Sequence, residues 1–190
     1  MRHGMVTVMT LVLAALVLMA AQPSAALAAT LDGSHLELVS NGASDYVIVV
    51  AKGASESEKF AAAELANHFQ QMSGAVLKIE TESDKVPEKA IIIGDGPAAQ
   101  AAGVKIDAEK LSTDGYTMKV SGTKLVIAGG RQRGTLYGVY DLLAELGCRW
   151  WAPGASTIPQ MKTIAVATLD KTKIPAATKK RLELLWARYV

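Results

Sequence analysis

Apolar and polar positions along this chain follow two rhythms, one of helices and one of strands. DYVIVVAKG, residues 45–53, is a continuous apolar run rich in β-branched side chains, which predicts a buried strand. In SESEKFAAAELANHFQQMSG, residues 55–74, Phe60, Ala63, Leu65, Phe69 and Met72 recur at helical spacing and predict an amphipathic helix. Ser55, with Glu58 three residues on, has the pattern of a capping box, and Gly74 is placed to end the helix. AVLKIETE alternates and predicts a half-buried strand, and KAIIIGDG is a second buried run bounded by Pro87 and Gly94. A short polar connection leads to DGYTMKVSGTKLVIAGG, two alternating runs around Ser121-Gly122 that predict a β-hairpin. GTLYGVYDLLAELG repeats the helical spacing through Leu136, Val139, Tyr140, Leu143 and Leu146, and CRWWAPG and KTIAVAT predict two last strands. Two helices cannot cover both faces of a large parallel sheet. The expected fold class is therefore α+β, a mixed β-sheet with the helices packed mainly on one face.

The ends of the chain differ from this body. Residues 1–28 carry Arg2, an apolar run from Met5 to Ala21 and the small-residue exit Ala26-Leu27-Ala28, the layout of a secretory signal peptide. The run is shorter than the roughly 20 residues a spanning helix needs, and Pro23 follows it. No cysteine stands near the exit to take a lipid. Export to the periplasm or the extracellular space is expected, with nothing left to hold the mature chain to a membrane. Residues 29–170 form one domain's length and carry 13 basic and 17 acidic side chains, whereas 171–190 carry 6 and 1. The nearly neutral body offers no electrostatic reason to expect nucleic acid. The single Cys148 allows no internal disulfide, so the fold must stand on packing. The tail, 171–190, is a basic amphipathic pattern with Leu182, Leu185, Trp186 and Tyr189 on one side. It fits docking on the domain, a partner or an anionic surface, and fits equally the chance product of a truncated or frame-shifted gene.

Candidate chemistry is sparse. Glu64 and His68 share a helix face but lack the second imidazole of a zinc helix, so a solvated face is expected and no metal or cofactor. No serine sits in a Gly-x-Ser-x-Gly turn, and no acid is marked out by an apolar setting as half of a glycosidase pair. Gly94-Asp95-Gly96 lacks the full nucleotide-binding spacing and reads as a tight turn after a strand. The densest stretch is GGRQRGTLYGVYDLLAELGCRWWAPG, residues 129–154, with two of the five tyrosines, two of the three tryptophans and the only cysteine. Arg131 and Arg133 precede a helix N-terminus, where they either assist an anion or lie solvated and paired with body acids. Trp150 and Trp151 adjoin in a strand and should face opposite sides, leaving one free as a platform for a sugar ring or a partner.

DGYTMKVSGTKLVIAGGRQRGTLYGVYDLLAELGCRWWAPG, with SEKFAAAELANHFQQMSG upstream, resembles the N-terminal domain of α-glucuronidase-like glycoside hydrolases. It is also similar to the related N-terminal domain of β-N-acetylhexosaminidases. The resemblance spans about Tyr46 to Thr168 and implies an α+β sandwich, zincin-like in shape without the metal site. It also implies that catalysis lies in a following (β/α)8 barrel of about 250 residues, for which 190 residues leave no room, so no catalytic residue carries over. The implied function is a non-catalytic accessory domain in polysaccharide metabolism that braces or docks such a barrel. Arg133 and Tyr137 would then hold loop and helix together, and Trp150 and Trp151 would help form the inter-domain surface. The other expectation is a stand-alone exported module that binds carbohydrate, for example acidic xylan-type oligosaccharides, or another protein.

Overall fold

The structure is a computed structural model that describes residues 35–130 and 133–174. The leader at 1–28, Arg131 and residues 175–190 of the basic tail lie outside the described residues. In chain order the elements are β1 (His35–Val39), β2 (Val47–Val50), α1 (Glu56–Ser73), β3 (Lys78–Thr81), β4 (Ala90–Ile93), α2 (Pro97–Ala101) and α3 (Ala108–Leu111). There follow β5 (Tyr116–Ser121), β6 (Lys124–Gly129), α4 (Gly134–Glu145), β7 (Arg149–Ala152), β8 (Ala155–Thr157), β9 (Ile164–Ala167) and β10 (Asp170–Lys173).

A six-stranded mixed sheet in the order β10-β5-β6-β4-β2-β3 is the centre of the domain. β3, β2, β4 and β6 run parallel, and β5 and β10 run antiparallel to their neighbours. β2 and β4 read as unbroken apolar runs because both faces are covered, whereas β3, read as half-buried, is exposed at the sheet edge throughout Lys78–Thr81. Ile48, Val50, Ile91, Ile93, Leu125 and Ile127 join Leu65, Phe69, Met72, Val139 and Leu143 of α1 and α4 in the large core. Val49, Ile92, Val126 and Ala128 instead pack with Ala98 and Ala99 of α2 and with Val104. Both long helices thus lie on one face, as the pattern predicts, and the short α2 covers the other. β1 and β9 pair with each other, and β7 and β8 make a separate ribbon.

α1 starts and stops where its sequence says. The Ser55 hydroxyl accepts from the Glu58 amide at 3.3 Å, Glu58 Oε2 accepts from the Ser55 amide at 2.8 Å, and Gly74 closes the helix at φ 86°. α4 is placed differently, by contact between backbones. A Cβ on Gly130 would lie 1.8 Å from the Ser112 carbonyl oxygen, one on Gly134 2.1 Å from that of Gly115, and one on Gly129 2.5 Å from the Gly134 carbonyl carbon. The Gly130 amide donates to Gly115 O at 2.8 Å, and Arg133 N to Thr113 O at 3.0 Å. Gly138, one turn on, brings α4 down onto Ile127 and the Tyr116 ring.

Several details depart from the sequence pattern. β1 lies in a stretch without a clear strand signal, and the connection before the hairpin holds α2 and α3. Ala63 is exposed, and the buried face of α1 instead takes in Ala61, Ala62, Glu64 and His68. The domain does not end at 170. β10 adds Asp170-Lys-Thr-Lys173 to the sheet beside β5, so the first residues assigned to the tail belong to the fold. Its strand has no apolar signal because polar contacts hold it: Thr172 meets Thr117 at 2.9 Å, and Lys119 pairs with Asp170 at 2.8 Å.

Two substitutions check the glycine packing. Gly130→Ala must push backbone apart and is expected to cost about 3 kcal/mol or more, or to prevent folding. Gly53→Ala, with nothing within 4 Å of the added methyl, should shift a urea midpoint little.

Candidate functional site

Those residues singled out by sequence that are described, Arg133, Tyr137, Trp150 and Trp151, are spread between the start of α4, the core and the β7–β8 ribbon. Arg133 stands at the N-cap of α4, where its Nε donates to Asp114 Oδ1 at 2.9 Å. The Asp114 carboxylate raises the Arg133 pKa further, so its charge is fixed and already paired. Tyr137 is buried among the core residues between α4 and the sheet. Arg133 is thus paired with an acid of the body, at the joint between the approach to β5 and the start of α4.

Trp150 and Trp151 do split, but on the β7–β8 ribbon rather than on the main sheet. Trp150 turns inward and is half-buried. Its ring stands edge-on to Tyr140 at 4.9 Å and to His68 at 5.8 Å between centroids. Trp151 is 68% exposed, and its Nε1 donates to Thr157 Oγ1 at 3.0 Å, which pins the ring across the ribbon.

Under Trp150 lies a group that the sequence pattern misplaced. Glu64 and His68 are not on a solvated face; both are buried against α4. Tyr140 donates its hydroxyl to Glu64 Oε2 at 2.6 Å, and His68 Nδ1 lies 2.8 Å from Glu64 O. The partner that makes burial tolerable is on another helix, 76 residues away, and leaves no mark in the spacing around Glu64.

Two more carboxylates are buried against expectation, and each has its own donors. Glu82 follows β3 and accepts from the Ala98 amide at the start of α2. A Cβ on Gly96 would lie 2.9 Å from Glu82 Oε2, so Gly94-Asp95-Gly96 is the expected tight turn, closed over an internal carboxylate. Beside it, Lys52, Glu82, Ser83, Asp84, Pro97 and Ala98 border a cleft of about 320 Å³. Open α/β sheets take ligands at the carboxyl ends of their parallel strands. Here Glu58 and Glu82 occupy that edge, Glu58 also accepting from Thr135 Oγ1 at 3.4 Å beside the start of α4.

Asp141 on α4 accepts from Lys171 at 2.6 Å and from Lys173 at 2.9 Å and 3.0 Å, and Lys171 also reaches Glu145. Burial would raise the Asp141 pKa, but hydrogen bonds from Lys171, Lys173 and Tyr116 outweigh it and hold it at about 2, against 3.8 in the open chain. Among the described residues no group of three or more His, Cys, Asp or Glu is arranged to hold a metal ion. No described helix is long and apolar enough to cross a membrane.

A mixed sheet with two helices on one face, whose internal charges answer one another, defines a layered α+β domain. Residues 26–142 match the family described as "Glycosyl hydrolase family 67 N-terminus", and the chain belongs to that family. It is thus an N-terminal domain of the α-glucuronidase-like hydrolases. Among solved structures, the chain is similar in fold to one described as "A novel family GH115 4-O-Methyl-alpha-glucuronidase, BtGH115A, with specificity for decorated arabinogalactans". Identity is 22% and the TM-score 0.54, over 72% of this chain and 18% of that one. A second structure, of CpGH84D, matches at 17% identity and a TM-score of 0.38 over 57% of this chain and 18% of its own, too low to bear on the fold. No curated protein matches the sequence. The chain covers less than a fifth of the length of either solved structure.

Two predictions follow from the geometry. Trp150→Ala removes a ring packed on Tyr140 and His68 and should cost about 2 to 3 kcal/mol in a urea melt, whereas Trp151→Ala should cost less than about 0.5 kcal/mol. Asp141 has a depressed folded pKa, so its contribution is present above 3.8 and is lost as pH falls through about 2. Asp141→Asn should therefore destabilise by roughly 2 kcal/mol at pH 7, and the gap to the parent should close towards pH 2.

Proposed function

We propose that this domain is a non-catalytic accessory unit of an α-glucuronidase-like glycoside hydrolase, exported, and that it braces a catalytic barrel carried elsewhere. The family match over residues 26–142 is the observation that carries this reading. The interior supports it. Glycosidases set two carboxyl groups across a scissile bond. Here the buried carboxylates Glu64, Glu82 and Asp141 are engaged by Tyr140, the Ala98 amide and the β10 lysines. The Trp151 ribbon is the surface we assign to the inter-domain contact. The exposed Trp151 ring also favours a second reading, in which the ribbon binds carbohydrate directly, with acidic xylan-type oligosaccharides as the ligand class.

The purified chain should release no product from aryl-glucuronides or aryl-hexosaminides. Turnover above the buffer rate that Glu64→Gln abolishes would overturn the non-catalytic assignment. Titration with acidic xylan oligosaccharides separates the two readings: no binding heat is expected of a bracing domain. Binding weakened at least about tenfold by Trp151→Ala would instead establish the carbohydrate platform.

A further inference from the structure

The sheet ends at β3, an edge strand whose outer side is open among the described residues. The Glu82 amide donates to Val50 O at 2.8 Å, so Lys78, Glu80 and Glu82 turn their backbone groups towards β2. By the alternation of a strand, Leu77, Ile79 and Thr81 present N–H and C=O outwards. Ile79 is 46% exposed and the adjoining Val76 71% exposed, two of the four large hydrophobic side chains exposed among the described residues. Edge strands are usually guarded by charge, and β3 carries Lys78 and Glu80. These two guards are of opposite sign and stand symmetrically about Ile79.

That symmetry selects the occupant. We propose that β3 pairs with β3 of a second copy of this chain, antiparallel about a two-fold axis through Ile79, joining two six-stranded sheets into one of twelve. Ile79 then exchanges both backbone hydrogen bonds with its mate, as the outward direction of its peptide groups requires. Lys78 of each copy faces Glu80 of the other in the non-hydrogen-bonded pairs, where side chains approach most closely. The charges that repel an arbitrary strand thus match their own two-fold image, and the two Ile79 side chains meet on the face of the sheet shared with Ile48. The interface is independent of the Trp151 ribbon, so its failure would leave the accessory-domain reading untouched.

Sedimentation or light scattering of the purified chain over a roughly hundredfold concentration range tests the pairing. The mass should rise towards twice that of the monomer. Lys78→Glu and Glu80→Lys each place like charges opposite one another twice and should weaken the dimer at least about tenfold, while the double exchange Lys78→Glu/Glu80→Lys restores it. Both side chains are exposed, so circular dichroism should be unchanged in every variant, as should the melting temperature at concentrations low enough for the parent to be monomeric. A monomer at all concentrations overturns the proposal. So does a dimer indifferent to the single exchanges, or one that the double exchange fails to recover.

Discussion

The close approach of backbones at Gly115, Gly129, Gly130 and Gly134 is the constraint on which the rest of this domain depends. At this junction the start of β5, the end of β6 and the start of α4 come so near that any side chain would collide with a peptide group. Helix and sheet are thereby locked in position and rotation, and Gly138 extends the contact by one turn. Arg133, paired with Asp114, closes the junction on its outer side.

The polar contacts of α4 follow from that placement. With its axis fixed, Tyr140 faces α1 and meets the Glu64 carboxylate, while Asp141 faces the sheet edge and meets Lys171 and Lys173. One interaction ties the two long helices together, and the other fastens a strand that has no apolar residue of its own. Trp150 then lies over Tyr140 and His68, which seats the ribbon and leaves Trp151 outward. Each of the buried carboxylates Glu64, Glu82 and Asp141 has at least one donor within the domain.

The two ends of the sheet show opposite treatments of an edge. β10 is bound by ion pairs to α4 and by Thr117–Thr172 to β5, so its charges are used inwards. β3 keeps Lys78 and Glu80 exposed, with Ile79 between them. The difference has a local cause. α4 brings Asp141 within reach of the β10 edge, while the Lys78 and Glu80 side chains stay solvent-facing at the other end.

Much of this was legible in the residues alone. The apolar runs at 47–50 and 90–93, the capping box at Ser55 and the hairpin of alternating runs around Ser121-Gly122 are local signals that act over a few residues, and the structure keeps them. The opposed directions of Trp150 and Trp151 likewise follow from the pleat of a strand. What tertiary structure decided is the fate of the charged groups. Glu64 and His68 read as a solvated face because their partner, Tyr140, is 76 positions distant. Asp170-Lys-Thr-Lys173 reads as the edge of a tail because its binding energy comes from Asp141 and not from burial. Hydrophobic periodicity reports the environment of a side chain along its own element; the pairing of a buried charge is fixed only when another element arrives beside it.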